Sequence, residues 1–345
     1  MAEVAPGGGN TFVPTFSEAT GQIQVEFTRS PNSFPVTQYC KLVPVSKSTG
    51  YYLSIDEEEA SRLVSTNDFA WRDGNDAPEG GQTDHAFTSF STDRYAQSFT
   101  LGHRSVSNAD WDVIASHARI AASKAMRLRS MRAATTLITS GNWGAASTSA
   151  CNHADFGGGK LDVSGATDYF IQKAFNGVVE RIMDNTGEAV QPSDIVAIMS
   201  TNTAHQITET AEYHTYFNGS PFAANFVRGS GEFNEYALLS NFFGIGGIVV
   251  DTTSKVTSRK GVTEVRASIF EDDIAFVSRP GGLMGTEGVP DFSTISCMAY
   301  EDMTVETMDD TWNRRTRGRV VDDSAIVLTA PLSGFLLTDC VDGLD

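Results

Sequence analysis

Cys151, His153 and Asp155 stand at alternate positions and carry the sulfur, nitrogen and oxygen donors that a transition metal takes. They sit in a Gly/Ser-rich stretch with no fourth donor close in sequence, so no metal site is expected there. The six histidines (85, 103, 117, 153, 205 and 214) form neither an HExxH nor a paired HxH pattern. No serine lies in a GxSxG elbow, which removes the usual sign of a serine hydrolase. Gly244-Ile245-Gly246-Gly247 leads into a strand-like run, whereas a dinucleotide loop follows a strand and opens a helix; a turn permitting close packing is the better reading. Gly157-Gly158-Gly159-Lys160 lacks the spacing of a phosphate loop and reads as a flexible link. Asp56-Glu57-Glu58-Glu59 is either a cation site or, more simply, an acidic helix N-terminus favoured by the dipole. The sequence therefore predicts no catalytic residue, no cofactor and no metal.

One basic cluster remains, Arg314, Arg315, Arg317 and Arg319. It is bracketed by Asp309-Asp310 and Asp322-Asp323, so pairing with those acids, or with a neighbouring subunit, is expected over DNA contact. The whole chain agrees with this: 345 residues carry 43 acidic and 25 basic side chains, for a net charge of −18. Such acidity argues against a general binder of nucleic acid or anionic membrane. No apolar run approaches the roughly 18 residues of a membrane span. Four scattered cysteines (Cys40, Cys151, Cys297 and Cys340) without a CxxC pair predict reduced thiols.

The elements that must position these residues are unevenly legible. Residues 1–37 are rich in Gly, Pro, Ser and Thr, with only Ile23, Val25 and Phe27 alternating like a strand. Strands are predicted at Val36–Val45 and Tyr51–Ile55, turning at Ser48-Thr49-Gly50, then an acidic helix over Asp56–Val64. A polar stretch over 73–81 and one long strand from Phe87 to Leu101 make 36–104 a long two-stranded excursion with a polar tip. The strongest helix is expected over 109–140, capped by Ser107-Asn108-Ala109-Asp110, closed by Gly141 and about 48 Å long. After a Gly/Ala/Ser-rich link (141–166), a second helix spans 168–185, followed by a buried-type strand over Ile195–Met199 and a short helix near 202–210. Strands are expected at Ile248–Asp251, Val262–Ile269 and Ile274–Val277, and again over 295–340.

This order of elements resembles the major capsid proteins of tailed double-stranded DNA bacteriophages, with the Hong Kong 97-type fold. The resemblance spans the chain and rests on loose features. They include residues 42–55, Trp71-Arg72 before a Gly/Pro-rich turn, the run from Arg94 to Leu101, the Asn108-Ala109-Asp110 helix start and Asn142-Trp143. Asn185-Thr186-Gly187, Pro192, Met199-Ser200 and the strand Asp273–Val277 complete them. It implies an α+β fold with an N-arm (1–37), an extended loop with adjoining peripheral-domain strands (38–104) and a spine helix in a peripheral domain (105–187). A mostly axial domain (188–290) and shared C-terminal strands (291–345) would follow.

The implied function is structural, with no enzyme activity: self-assembly into hexamers and pentamers of an icosahedral head in the host cytoplasm, with the virion as destination. Implied partners are further copies of the chain, a separate scaffolding protein, a portal, decoration proteins and weakly contacted double-stranded DNA, with no membrane. Trp71, Phe87 and Phe90 are candidate apolar anchors, and Arg72 and Arg94 candidate cross-subunit charges. No lysine lies between Lys47 and Lys124, so a shell without covalent lysine links in the outer loop is expected. Two rivals stay open: an encapsulin-type nanocompartment shell, and a soluble cytosolic hydrolase.

Overall fold

A computed structural model describes residues 34–55, 85–109, 112–219, 243–256, 258–259, 261–263, 265–278 and 293–342. Helix α1 (Val36–Tyr39) and strands β1 (Lys41–Pro44) and β2 (Thr49–Ile55) come first. Strands β3 (His85–Ser91) and β4 (Asp93–Gly102) lead into helices α2 (His103–Ser107) and α3 (Val113–Ile138). Strand β5 (Thr148–Ala150), helix α4 (Phe170–Asn185), strand β6 (Ile195–Ser200) and helices α5 (Thr201–Thr208) and α6 (Ala211–Gly219) follow. The remaining strands are β7 (Gly247–Asp251), β8 (Ser254–Val256), β9 (Arg266–Ser268), β10 (Ile274–Ser278), β11 (Ile295–Asp310), β12 (Arg315–Leu328) and β13 (Phe335–Thr338).

The core is organised by a sheet ordered β5-β13-β10-β6-β7. Every residue of β6 and β10 is buried, as expected of strands covered on both faces. Alternation then sorts the side chains. Ile195, Ala197, Met199, Ile274, Phe276, Phe335 and Leu337 join one cluster with α4, whose Ile171, Phe175, Val178 and Ile182 recur at helical spacing. Val196, Ile198, Ala275, Val277 and Leu336 face the other way, onto Tyr39, Met126, Ala133, Ala134, Leu137 and Trp143.

The second sheet is ordered β1-β11-β12-β4, with β1 parallel to β11 and the rest antiparallel. Helix α3 lies on it through small residues: Ala121 and Ala125 pack on Val320 with Phe99 alongside. At 1.5 Å per residue its 26 residues span about 39 Å. It thus serves both sheets, its first half on β12 and its last turns under the central sheet.

Several expected boundaries move. The helix begins at Val113, not 109, because Asp112 is the N-cap and accepts from the Ala115 N–H at 2.9 Å. Thr139, not Gly141, ends it. Val36–Tyr39 is helical rather than extended; Pro35 fixes the backbone before it, and Val36 and Tyr39 bury one face. β1 and β2 are not a hairpin, since β1 pairs with β11 and β2 with β3. The expected long strand 87–101 is two strands in two sheets, broken at Thr92, whose N–H donates to Ser48 O at 2.8 Å.

Residues 141–166 are a folded segment, not a flexible link. β5 joins the central sheet there, and Cys151, Phe156 and Leu161 are fully or almost fully buried. The strand expected over Val262–Ile269 is limited to Arg266–Ser268. The helix expected over Asp56–Val64, the tip at 73–81 and almost all of the N-arm lie outside the described residues.

Candidate inter-subunit surfaces

Gly50 and Phe90 face each other across the β2–β3 ribbon, and a Cβ on Gly50 would come 2.9 Å from the Phe90 ring. Phe90 is thereby half-buried within its own chain. Tyr52, also on this face, donates to Leu328 O at 3.3 Å and ties the ribbon to β12. The register puts Tyr51 and Phe87 on the opposite face as diagonal neighbours. They are 74% and 72% exposed. Phe87 was legible as a candidate anchor from the sequence; Tyr51 was not, though strand periodicity puts it on the same face. Trp71 and Arg72 lie outside the described residues.

Arg94 is engaged within the chain. Its Nε donates to Asp323 at 3.0 Å and its Nη2 stands 3.6 Å from Glu301. The hydrogen bond to Asp323, with the charges of Glu301 and Asp323 around it, holds the guanidinium pKa above its ordinary value. With a side chain 60% exposed, Arg94 still presents a face to solvent.

The basic cluster becomes a row. β12 starts at Arg315, so Arg315, Arg317 and Arg319 fall on one face with period two. Arg319 lies opposite Glu306 and pairs at 2.5 Å; Arg315 lies opposite Asp310 and pairs at 3.0 Å. Arg317 reaches the same Asp310 at 3.5 Å. The Asn313 side-chain amide and the Arg315 guanidinium, both bonded to Asp310, hold its carboxyl below the usual range. The expected pairing with Asp309-Asp310 is thus half met: Asp310 takes two arginines, while Asp309 accepts from His103 Nε2 at 2.7 Å. Arg314 sits in the turn at φ 48, and among the described residues its guanidinium meets no acid.

Asp322 and Asp323 have a different role from the one the bracketing implied. Asp322 is 1% exposed and accepts from Arg129 Nη2 at 2.6 Å and Nε at 3.3 Å. Arg129 also donates to Asp302 at 2.8 Å. Burial alone would push its pKa down, and the bonds to Asp322 and Asp302 more than offset that, leaving it raised. Arg132 adds a bond to Ser324 Oγ at 3.1 Å and lies 4.3 Å over the Tyr95 ring. This charged seam fastens α3 to β11, β12 and β4.

Cys151, His153 and Asp155 do not converge. Cys151 is buried, and His153 Nδ1 accepts from the Asp155 N–H at 3.3 Å as the cap of a single 3-10 turn. Among the described residues no group of three or more His, Cys, Asp and Glu is arranged to hold a metal. All four cysteines are free and buried. Gly246 meets its expected role as a close-packing turn, since a Cβ there would lie 1.9 Å from Ser193 O.

No protein-family model matches the chain, and no curated protein does. Solved structures do. The chain is similar to a phage-related protein from Bordetella bronchiseptica RB50 at 15% identity and TM-score 0.63, over 90% of this chain and 93% of that one. It is similar to the mature capsid of bacteriophage PhiM1 at 12% identity and TM-score 0.54, over 98% and 97% of the two chains. It is also similar to the capsid of cyanophage P-SCSP1u at 11% identity and TM-score 0.55, over 95% of each. The fold is that of a phage capsid protein. It is the α+β, Hong Kong 97-type capsid fold, shared along nearly the whole length.

Proposed function

We propose that this chain is the major capsid protein of a tailed bacteriophage, a non-catalytic subunit that assembles into hexamers and pentamers of an icosahedral shell around double-stranded DNA. One observation carries the reading beyond the fold. Tyr51 and Phe87 stand more than two-thirds exposed on the outer face of a two-stranded ribbon whose other face is tied down. A monomer has no use for that arrangement, and a neighbouring subunit does. The same reading puts the N-arm (1–37) and the extended loop within 38–104 over neighbours, with the sheet carrying β11 and β12 as the peripheral domain and the β6-centred sheet as the axial one. Assembly in the host cytoplasm, a separate scaffolding protein, a portal and decoration proteins belong to it as partners.

The charge fits a container that holds DNA without binding it tightly. At −18 overall, with Glu306 and Asp310 offsetting two of the three charges in the arginine row on β12, the subunit offers DNA little attraction. Size-exclusion chromatography followed by negative-stain microscopy tests the proposal. Closed megadalton particles are the expected result; a monodisperse monomer at all concentrations and ionic strengths overturns it. Nuclease-protected DNA in particles from infected cells separates this reading from a protein-cargo compartment.

A further inference from the structure

β11 is 16 residues long, but its outer neighbour β1 covers only Ser296 to Ala299. Beyond that, the register with β12 shifts between Ala299 and Thr304, with Met303 at φ 47, and then runs unbroken from Thr304 to Asp310. Those seven residues have β12 on one side and no described strand on the other. An open edge of this kind is a template for pairing, and proteins usually guard it with lysine, proline or an inward charge. This segment, Thr304-Val305-Glu306-Thr307-Met308-Asp309-Asp310, has neither lysine nor proline. Three of its acids are already matched inside the chain, Glu306 by Arg319, Asp309 by His103 and Asp310 by Arg315. Val305 and Met308 are 49% and 59% exposed.

We propose that Thr304 to Asp310 pairs antiparallel with the same segment of a second copy across a twofold axis centred on Thr307. This rests on the shell reading and names one contact within it. The centre follows from charge. With Thr307 opposite itself, Glu306 faces the partner's Met308, Val305 faces the partner's Asp309 and Thr304 faces the partner's Asp310, so no two carboxylates lie directly opposite. Moving the axis by one residue puts Glu306 opposite itself when it falls on Glu306, or opposite Asp310 when it falls on Met308, a like-charge pair in either case. The Thr307-centred register also carries each hairpin tip toward the partner's irregular stretch at 300–303. The tip is held rigid: Asp310 accepts from Asn313 N at 3.2 Å and Nδ2 at 2.8 Å, and the His103 N–H donates to Arg314 O at 2.9 Å. It displays Trp312, 93% exposed, and Arg314, which meets no described acid. The stretch it approaches offers Tyr300, 42% exposed, and the partly exposed carboxylates of Glu301 and Asp302. The surface is therefore self-complementary, as a twofold contact requires.

The test is disulfide trapping in the full chain. Thr307→Cys on the axis should give a dimer band on a non-reducing gel of assembled particles, while Glu306→Cys, off the axis, should give at least tenfold less. Thr307→Pro, which cannot donate to a new ladder, should lose the contact while the soluble subunit keeps its circular dichroism. Particles that form normally while Thr307→Cys yields no dimer overturn the twofold pairing and leave the shell reading standing; that is also the outcome if another segment covers the edge. Absence of both particles and dimers overturns the two together.

Discussion

Arg129, near the middle of the long helix, and Asp322, in β12, form a 2.6 Å ion pair with both side chains almost sealed from solvent. They are 193 residues apart and join the helix to the sheet that carries the exposed hairpin. Removing one partner of such a pair strands the other charge in a medium that solvates it poorly.

Arg129→Met is therefore expected to destabilise the dissociated subunit by about 3–5 kcal/mol, read as a lower urea midpoint. Combining it with Asp322→Leu should recover much of that loss, because the two charges then leave together. A double variant as unstable as the sum of the two singles would show that the pair acts through separate contacts.

Glu212 is 2% exposed and works as a borrowed helix cap. Helix α4 starts after Tyr169 in the left-handed region, and no side chain caps it from that position. The Glu212 carboxylate instead accepts from Ile171 N at 3.1 Å and Gln172 N at 3.0 Å, and also from the Ser164 hydroxyl. Glu212→Ala leaves those donors buried without an acceptor, which costs about 1–3 kcal/mol. Amide hydrogen exchange should quicken first at residues 170–173.

How far such contacts were legible in the sequence depended on whether the signal was local. The run Ile195–Met199 and the helical spacing of Phe175, Val178 and Ile182 announce buried elements from their own neighbours. The Gly244–Gly247 turn is likewise read from its own residues. The start of α3 was misplaced because the capping-box pattern that opens at Ser107 reads as its first turn, whereas Ser107 closes the short helix α2 and Asp112 caps α3. The break at Thr92 interrupts an alternation that looks continuous, since a bond to Ser48 decides it. Arg315, Arg317 and Arg319 were legible as a cluster, and their period of two could have marked them as one face of a strand. The partners of Asp322 could not be found, because nothing in its neighbourhood points to a helix 193 residues away.

Gly246→Ala is expected to abolish folding, since its Cβ would sit 1.9 Å from the Ser193 carbonyl, a backbone atom that cannot swing aside. Gly141→Ala is the control. Nothing lies within 4 Å of its Cβ, and its stability should stay within about 0.5 kcal/mol of the parent. Soluble yield and thermal melts distinguish the two.

Burial, then the neighbouring Asp272, pushes the Asp273 carboxyl up to about 6 from an ordinary 3.8. The sign follows from linkage. The folded chain holds that proton more tightly than the unfolded chain, so Asp273 favours folding below about pH 4 and loses that contribution as pH rises through 6. Asp273→Asn keeps an acceptor for the Asp339 N–H, now at 3.3 Å, and removes the charge. Its melting temperature should exceed the parent's at pH 7 and converge with it near pH 4. An equal difference at both pH values would show that the carboxylate is solvated as an ordinary surface group.

The outer ribbon gives the sharpest separation of folding from assembly. Tyr51 and Phe87 share a face that no described residue covers, so replacing both with serine removes little internal packing. Subunit stability should move by no more than about 0.5 kcal/mol, as for other surface changes. On the proposed shell reading the same two rings are buried by a neighbouring subunit, and interface aromatics of that kind are worth about 2 kcal/mol or more each. Two per subunit then weaken each contact by about a thousandfold in association constant. Tyr51→Ser/Phe87→Ser should accordingly run as a folded, unassembled subunit at concentrations where the parent forms particles, with both followed by light scattering. Assembly at the parent's concentration would show that this face stays exposed in the shell, and would shift the search for its main contacts to the β11–β12 hairpin.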